Sequence, residues 1–198
     1  EIPISSAAGQ WTNPLVAFFT STTSTCVTGL VVVDTYSYFS TFGHIIILCL
    51  IQVGGLGIIT VISMVMLITQ KKFSLGDRKM LQESLNLDTD VGILRLLIRI
   101  FKDVFKVELF GAVLYSISFI PEFGVARGIW YSIFHSVSAF CNAGIDIIGD
   151  RSLMDYKSNP LVMCTTMLLI VLGGLGYVVW FDMSEKIKAG IKKRFTHL

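Results

Sequence analysis

No charged side chain lies between Asp34 and Lys71, nor between Lys157 and Asp182. Glu1 to Asp34 and Arg127 to Asp146 bracket two more uncharged runs. Few folds tolerate such gaps. A helix needs roughly 20 mostly apolar residues to cross a bilayer. Residues 38–69 exceed that length and residues 159–181 meet it. The whole chain is 53% hydrophobic and 15% charged, with mean hydropathy +0.71, where soluble domains carry about 25% charged residues. These features predict an all-α integral membrane protein.

The net charge of +2 conceals an asymmetry. Lys71, Lys72, Arg78, Lys79, Arg95, Arg99, Lys102 and Lys106 crowd one connecting region, and Lys186, Lys188, Lys192, Lys193 and Arg194 the tail. The remaining connections hold only Arg127, Arg151 and Lys157. Positive charge favours the cytoplasmic side, so the linker and the tail are expected inside the cell. A nucleic-acid role for the tail is not favoured, because it abuts a membrane helix and Phe195 is its one aromatic residue for stacking.

Within this frame a unit recurs. FFTSTTSTCVTGLVVVD (18–34) returns in altered form as FHSVSAFCNAGIDIIGD (134–150), and each copy is followed by an apolar run carrying Gly-Gly-Leu-Gly, at 54–57 and 173–176. A short apolar helix, a glycine turn and a long membrane helix outline an ion-pore repeat, since carbonyls held by such a turn replace the water around a cation. Val27, Thr28, Gly29 and Leu30 form the first candidate filter, and Asn142, Ala143, Gly144 and Ile145 the second. Irregular backbone at membrane depth is tolerated only where it is buried in protein or lines water. The negative end of each short helix also favours a cation. The competing interpretation is an ordinary helix with a glycine cap, and duplication weighs against it.

These signals set the boundaries. Residues 1–69 are a first repeat lacking its opening helix, with a short helix over 12–25 started by Asn13-Pro14 and a membrane helix over 38–69. Residues 70–94 form a cytoplasmic linker. Residues 95–182 are a second repeat: a helix over 94–120, a turn at 121–124, a re-entrant helix over 128–140, an outer loop over 146–158 and a last helix over 160–181. Residues 183–198 are a basic tail. The start at Glu1, without an initiator Met or signal pattern, reads as a fragment.

Other groups yield less. Gly54, Gly55, Gly57, Gly173, Gly174 and Gly176 suit close helix packing and hinging. Neither cluster completes the nucleotide-binding GxGxxG pattern, because Thr60 and Val179 stand where the third glycine belongs. Cys26, Cys49, Cys141 and Cys164 lack metal-ligand spacing. A Cys26–Cys141 disulfide is conceivable, but the duplication explains their matching positions more simply. Cys49 and Cys164 are expected to pack as small groups. Glu108, close to Lys106, is a functional candidate by its depth, weighed against an interfacial or hydrogen-bonded structural role. His44 and His135 are expected to be packed and hydrogen-bonded. Asp34, Asp146 and Asp150 either concentrate cations at the outer mouth or are simply solvated. No cofactor is implied, and no clustered catalytic set supports an enzyme.

The strings Ser24-Thr25-Cys26-Val27-Thr28-Gly29-Leu30 and 136–145 (SVSAFCNAGI), with IQVGGLGIIT (51–60) and LGGLGYVVW (172–180), resemble the Trk/Ktr/HKT potassium transporters, most of all the bacterial Ktr membrane subunit. The resemblance implies four helix–pore–helix repeats around one pore, of which this chain holds about two. Gly29 and Gly144 would be filter glycines, and Gly29 in place of serine fits the potassium-preferring members. It also implies a plasma-membrane location, K+ as the transported ion, a homodimer, and a cytosolic nucleotide-binding regulatory subunit near residues 70–94 or the tail. The third repeat, which carries the gating loop, and the fourth are absent. Against this stand a non-transporting scaffold or inactive fragment, a membrane enzyme, and a tetrameric channel, whose single repeated filter does not fit two dissimilar strings.

Overall fold

The computed structural model describes residues 3–57, 93–149 and 151–176, with isolated positions between 60 and 83 and at 179. Nearly all of the linker 70–94, all of the tail 183–198 and Asp150 lie outside the described residues. The chain divides into two compact units, residues 1–58 with 102–174, and residues 59–101 with 175–198. In the second, Leu97 and Ile100 are buried. The first unit contains both candidate loops.

The described residues are helical, with one isolated antiparallel bridge between Ser6 and Phe39. Helix α1 spans Pro14–Cys26, α2 Thr35–Tyr38, α3 Thr41–Leu56, α4 Ile93–Phe123, α5 Val125–Phe140 and α6 Pro160–Gly174. Short 3-10 turns occupy Pro3–Ser5 and Ser152–Tyr156. Helix α1 starts where the sequence places it. Asn13 Oδ1 accepts from Leu15 N at 2.9 Å, and Pro14 occupies a first-turn position that needs no N–H. Ser40 caps α3 by accepting from Gly43 N, and its own hydroxyl donates to the Ile4 carbonyl.

Helix α4 shows the membrane character most directly. Over Leu97–Phe123 it is long and apolar enough to cross a bilayer, at about 1.5 Å per residue. Val104, Glu108, Ala112, Tyr115 and Phe119 form its buried stripe. The opposite face is apolar too, with Phe105, Leu109, Phe110, Val113 and Ile117 exposed. A helix apolar all round is buried in a large core or in lipid.

The structure interrupts two expected helices. The helix expected over 38–69 is divided: α3 begins at Thr41 and stops at Leu56, with Gly57 at φ +84°. In the one expected over 160–181, α6 ends at Gly174 with Gly176 at φ +78°; of 177–181 only Val179 is described, and it is helical. Both ends fall in the duplicated glycine cluster, where a glycine at positive φ takes a backbone angle that a side chain disfavours. The turn expected over 121–124 contracts to Gly124, because α4 continues through Pro121 to Phe123. Pro121 gives up one main-chain donor in this last turn. Gly124 at φ +79° makes the reversal, and α4 and α5 then meet so closely that a Cβ on Gly128 would stand 2.7 Å from Ile120 Cα.

Helix α1 packs on α3, α5 on α6, and α3 on α5. The shared core includes Phe134, Phe119, Tyr115, Ile51 and Leu169. All four cysteines are free thiols. Cys49 and Cys164, expected to act as small packing groups, are exposed on their helices, as is Cys26, and Cys141 is buried.

Candidate functional site

The two candidate loops are built alike. Helix α1 ends at Cys26 and Val27 turns left-handed at φ 55°. Beyond α5, Asn142 takes the same conformation at φ 59°. Two residues later come Gly29 at φ +74° and Gly144 at φ +67°. When Gly29 is set on Gly144, Thr23 and Ser138 become equivalent, and both hold their loops. The Thr23 carbonyl accepts from Thr28 N at 3.1 Å and its hydroxyl oxygen from Leu30 N at 3.0 Å. The Ser138 carbonyl accepts from Ala143 N at 2.8 Å, and its hydroxyl donates to the Ile145 carbonyl. Neither residue was singled out from sequence, although aligning the duplicated segments on their glycines pairs them.

The loops also meet. A Cβ on Gly29 would stand 2.7 Å from Ala143 O, and one on Gly144 would stand 3.8 Å from Gly29 Cα. Two stretches far apart in sequence therefore lie side by side. Among the described residues, the carbonyls of 27–30 and 142–144 accept no hydrogen bond, whereas that of Ile145 is engaged by Ser138. Thr28, Leu30, Asn142 and Gly144 are exposed, while Ala143 and Ile145 are buried.

Val27 is the strained point. A left-handed backbone costs an L-residue about 1–2 kcal/mol, and a β-branched side chain is a marked outlier there. The second loop carries asparagine at the matching place, a residue that tolerates this region. Val27→Asn is therefore expected to raise stability by up to about 1 kcal/mol, measured as an upward shift in the full-length protein's melting temperature.

The glycine clusters brace the loops from behind. A Cβ on Gly54 would overlap the Thr25 carbonyl, and one on Gly173 the Phe140 carbonyl. These carbonyls occupy equivalent places at the ends of α1 and α5. Gly55 lies against Cys141, so the first long helix also contacts the second loop. Gly174 and Gly176 have open space around them. The packing role thus falls on Gly54, Gly55 and Gly173, and the helix-closing role on Gly57 and Gly176.

Four hydroxyls of the Ser/Thr run bond within α1: Ser21, Thr22, Ser24 and Thr25 each donate to the carbonyl one turn back. His44 Nε2 bonds the Thr35 carbonyl at 2.8 Å and His135 Nδ1 the Tyr131 carbonyl at 2.8 Å, as packed histidines should. Asp34 caps α2, accepting from Tyr36 N and Ser37 N. Asp146 accepts from Ile148 N and the Ser152 hydroxyl. In the loop before α6, Tyr156 donates to the Glu122 carboxylate. Burial, reinforced by that carboxylate, pushes the Tyr156 phenol above its ordinary value.

Glu108 takes the structural role. Lys106 pairs with Asp103 at 2.8 Å, and Glu108 Oε1 accepts from Gln52 Nε2 at 2.8 Å. The Glu108 main-chain carbonyl accepts from Ser136 on α5 at 2.6 Å. One residue thereby ties α3, α4 and α5 together, and Gln52 is a partner that sequence periodicity does not identify. Glu108→Ala leaves the Gln52 amide without its acceptor, which costs about 1–3 kcal/mol. Glu108→Gln keeps an acceptor oxygen and should cost less than half as much. Thermal melting of the full-length protein compares the two.

Helices with apolar exposed faces, carrying two adjacent loops, fit a membrane protein. The chain belongs to the TrkH cation transport protein family, whose description matches residues 4–198. It is 43% identical over 182 residues to the potassium/sodium uptake protein NtpJ of Enterococcus hirae, covering 92% of this chain and 40% of that one. It is 40% identical over 169 residues to the Ktr system potassium uptake protein B of Bacillus subtilis, covering 85% and 38%. With the protein of the same name from Vibrio alginolyticus it shares 36% over 182 residues, covering 92% and 39%. The chain thus spans about two-fifths of the length of these relatives, all three of which are named as uptake proteins.

Proposed function

We propose that this chain contributes two of four pore-forming repeats to a potassium uptake protein of the plasma membrane. Residues 27–30 and 142–145 would supply two quarters of a selectivity filter. Potassium would shed water, be held by main-chain oxygens and move inward down its electrochemical gradient. The observation that carries this reading is the apposition of Gly29 and Gly144 between carbonyls with no internal partner. Backbone oxygens with no protein partner are free to replace the water around a cation. The relatives' names support potassium as the ion, and one of them adds sodium.

In this reading the loops open outward, the linker 70–94 and the tail face the cytoplasm, and the assembly is a homodimer with a cytosolic nucleotide-binding regulatory subunit. The test is reconstitution of the full-length protein in liposomes. Potassium uptake that exceeds sodium uptake, and that falls in parallel for substitutions in both loops, supports the reading. Uptake unaffected by either loop overturns it.

A further inference from the structure

A groove of about 400 Å³ opens between the starts of α3 and α5, and no residue of either candidate loop lines it. Its size is ordinary for a small-ligand site, roughly 300–1,000 Å³. Tyr36, Ser37, Ser40, Thr41, Arg127 and Tyr131 give it a polar rim. These groups differ in what they still have to offer. The Ser37 hydroxyl donates to Asp34 and the Ser40 hydroxyl to the Ile4 carbonyl, so both protons are spent. Tyr131 shares a hydrogen bond with Tyr36, which uses one of the pair's hydroxyl protons and leaves the other. Tyr36, Thr41 and Arg127 are all exposed. Arg127 lies beside Tyr131, and among the described residues no carboxylate pairs with it. Asp34, whose charge reaches this wall at His44, turns its oxygens into the start of α2. What the rim leaves to a ligand is accessible donors and a positive charge, which suits an anion. Arginine in particular matches phosphate oxygens with paired N–H donors.

The surface beyond the rim is apolar. His44 meets Phe134 and Gly55 meets Cys141, so α3 and α5 run in the same direction away from the rim. Along that course α3 exposes Phe42, Ile45 and Ile46, and α5 exposes Ile129 and Ile133. Ile45 follows Thr41 by four residues and Ile133 follows Trp130 by three, and both Thr41 and Trp130 line the groove. Residues three or four apart share a helix face, so the apolar strips continue from the groove walls. A free inorganic anion would use the rim alone. A lipid uses both parts, with phosphate at the rim and acyl chains on the strips.

From this polarity pattern we infer that the groove is a binding site for one anionic phospholipid, its phosphate held by Arg127 and the Tyr36–Tyr131 pair and its chains lying along Ile45 and Ile133. The assignment rests on residence in a membrane and on no property of residues 27–30 or 142–145.

The test uses the full-length protein in a non-ionic detergent. Dioleoylphosphatidylglycerol, dioleoylphosphatidylcholine and sodium phosphate are titrated separately at equal ionic strength while the melting temperature is followed. A ligand that binds only the folded state raises it in a saturable manner. Phosphatidylglycerol should do so at a roughly tenfold lower midpoint than phosphatidylcholine, whose choline cation is repelled by Arg127. Inorganic phosphate should give no shift. Arg127→Gln, at an exposed position, should raise the phosphatidylglycerol midpoint roughly tenfold, the size of a lost charge-assisted hydrogen bond. Arg151→Gln, which neutralises an exposed arginine outside the groove, should leave that midpoint in place. Four results would each overturn the assignment: no saturable shift with phosphatidylglycerol, equal midpoints for the two lipids, a shift with inorganic phosphate (a free-anion site), or a midpoint that Arg127→Gln leaves unchanged or moves no more than Arg151→Gln (general surface charge). A melting temperature that follows protein concentration in place of lipid (a second copy as occupant) would do the same. None of these readouts requires transport, so a failure of the potassium-uptake reading remains distinguishable.

Discussion

Gly173→Ala is expected to disable the full-length protein, while Gly174→Ala one residue on is tolerated. The added methyl at 173 falls on the Phe140 main-chain carbonyl, which ends α5 and cannot rotate away as a side chain would. Either α5 and α6 separate or the loop after Phe140 is displaced, at a cost of at least about 3 kcal/mol, the upper part of the overpacking range. At Gly174 nothing lies within 4 Å, and alanine gains up to about 1 kcal/mol in helix propensity. Melting temperature and ion uptake, measured side by side on the two variants, separate the cases. Gly54→Ala should behave like Gly173→Ala, because its methyl meets Thr25 O in the same way. Equal tolerance at 173 and 174 would remove the close-packing account of the glycine clusters.

The second large effect is expected at Gly29. Valine there must adopt φ +74° and place its Cβ 2.7 Å from Ala143 O. Both demands are unfavourable, the first from clash of Cβ with its own backbone and the second from contact with the neighbouring loop. The loops must part or the carbonyls reorient, and in either case the oxygens no longer match a bare ion. Under the proposed function, Gly29→Val should reduce the preference for potassium over sodium by roughly tenfold or more, since about 1.4 kcal/mol of lost differential coordination gives that factor. Uptake of both ions in liposomes reads this out. Retention of the wild-type ratio would count against residues 27–30 as coordinating groups. Gly144→Val tests the second loop with less steric confounding, since there the nearest neighbour is Gly29 Cα at 3.8 Å.

Local signals in the chain reached as far as helix class and helix starts. Asn13-Pro14 announced α1, because a cap and a first-turn proline act through neighbouring atoms. The uncharged runs announced apolar helices, because the cost of placing charge in lipid depends on composition alone. The duplicated segment indicated two similar loops, and its glycines fall at positive φ where a side chain is disfavoured. Helix lengths were harder to read. The apolar pattern runs unbroken through residues 57 and 176, so hydropathy could not register a stop made by a backbone angle.

Sequence by itself therefore determined what each segment is: an apolar helix, a capped start, a glycine loop, a member of the TrkH family. Tertiary structure alone decided what each residue touches. It set Gly29 beside Ala143, gave Glu108 to Gln52 in place of nearby Lys106, assigned close packing to Gly173 but not Gly174, and left His135 Nε2 facing no partner. The physical reason is range. Propensity, capping and hydropathy act within a turn or two of chain, whereas contact distances and hydrogen-bond partners depend on how distant segments are brought together.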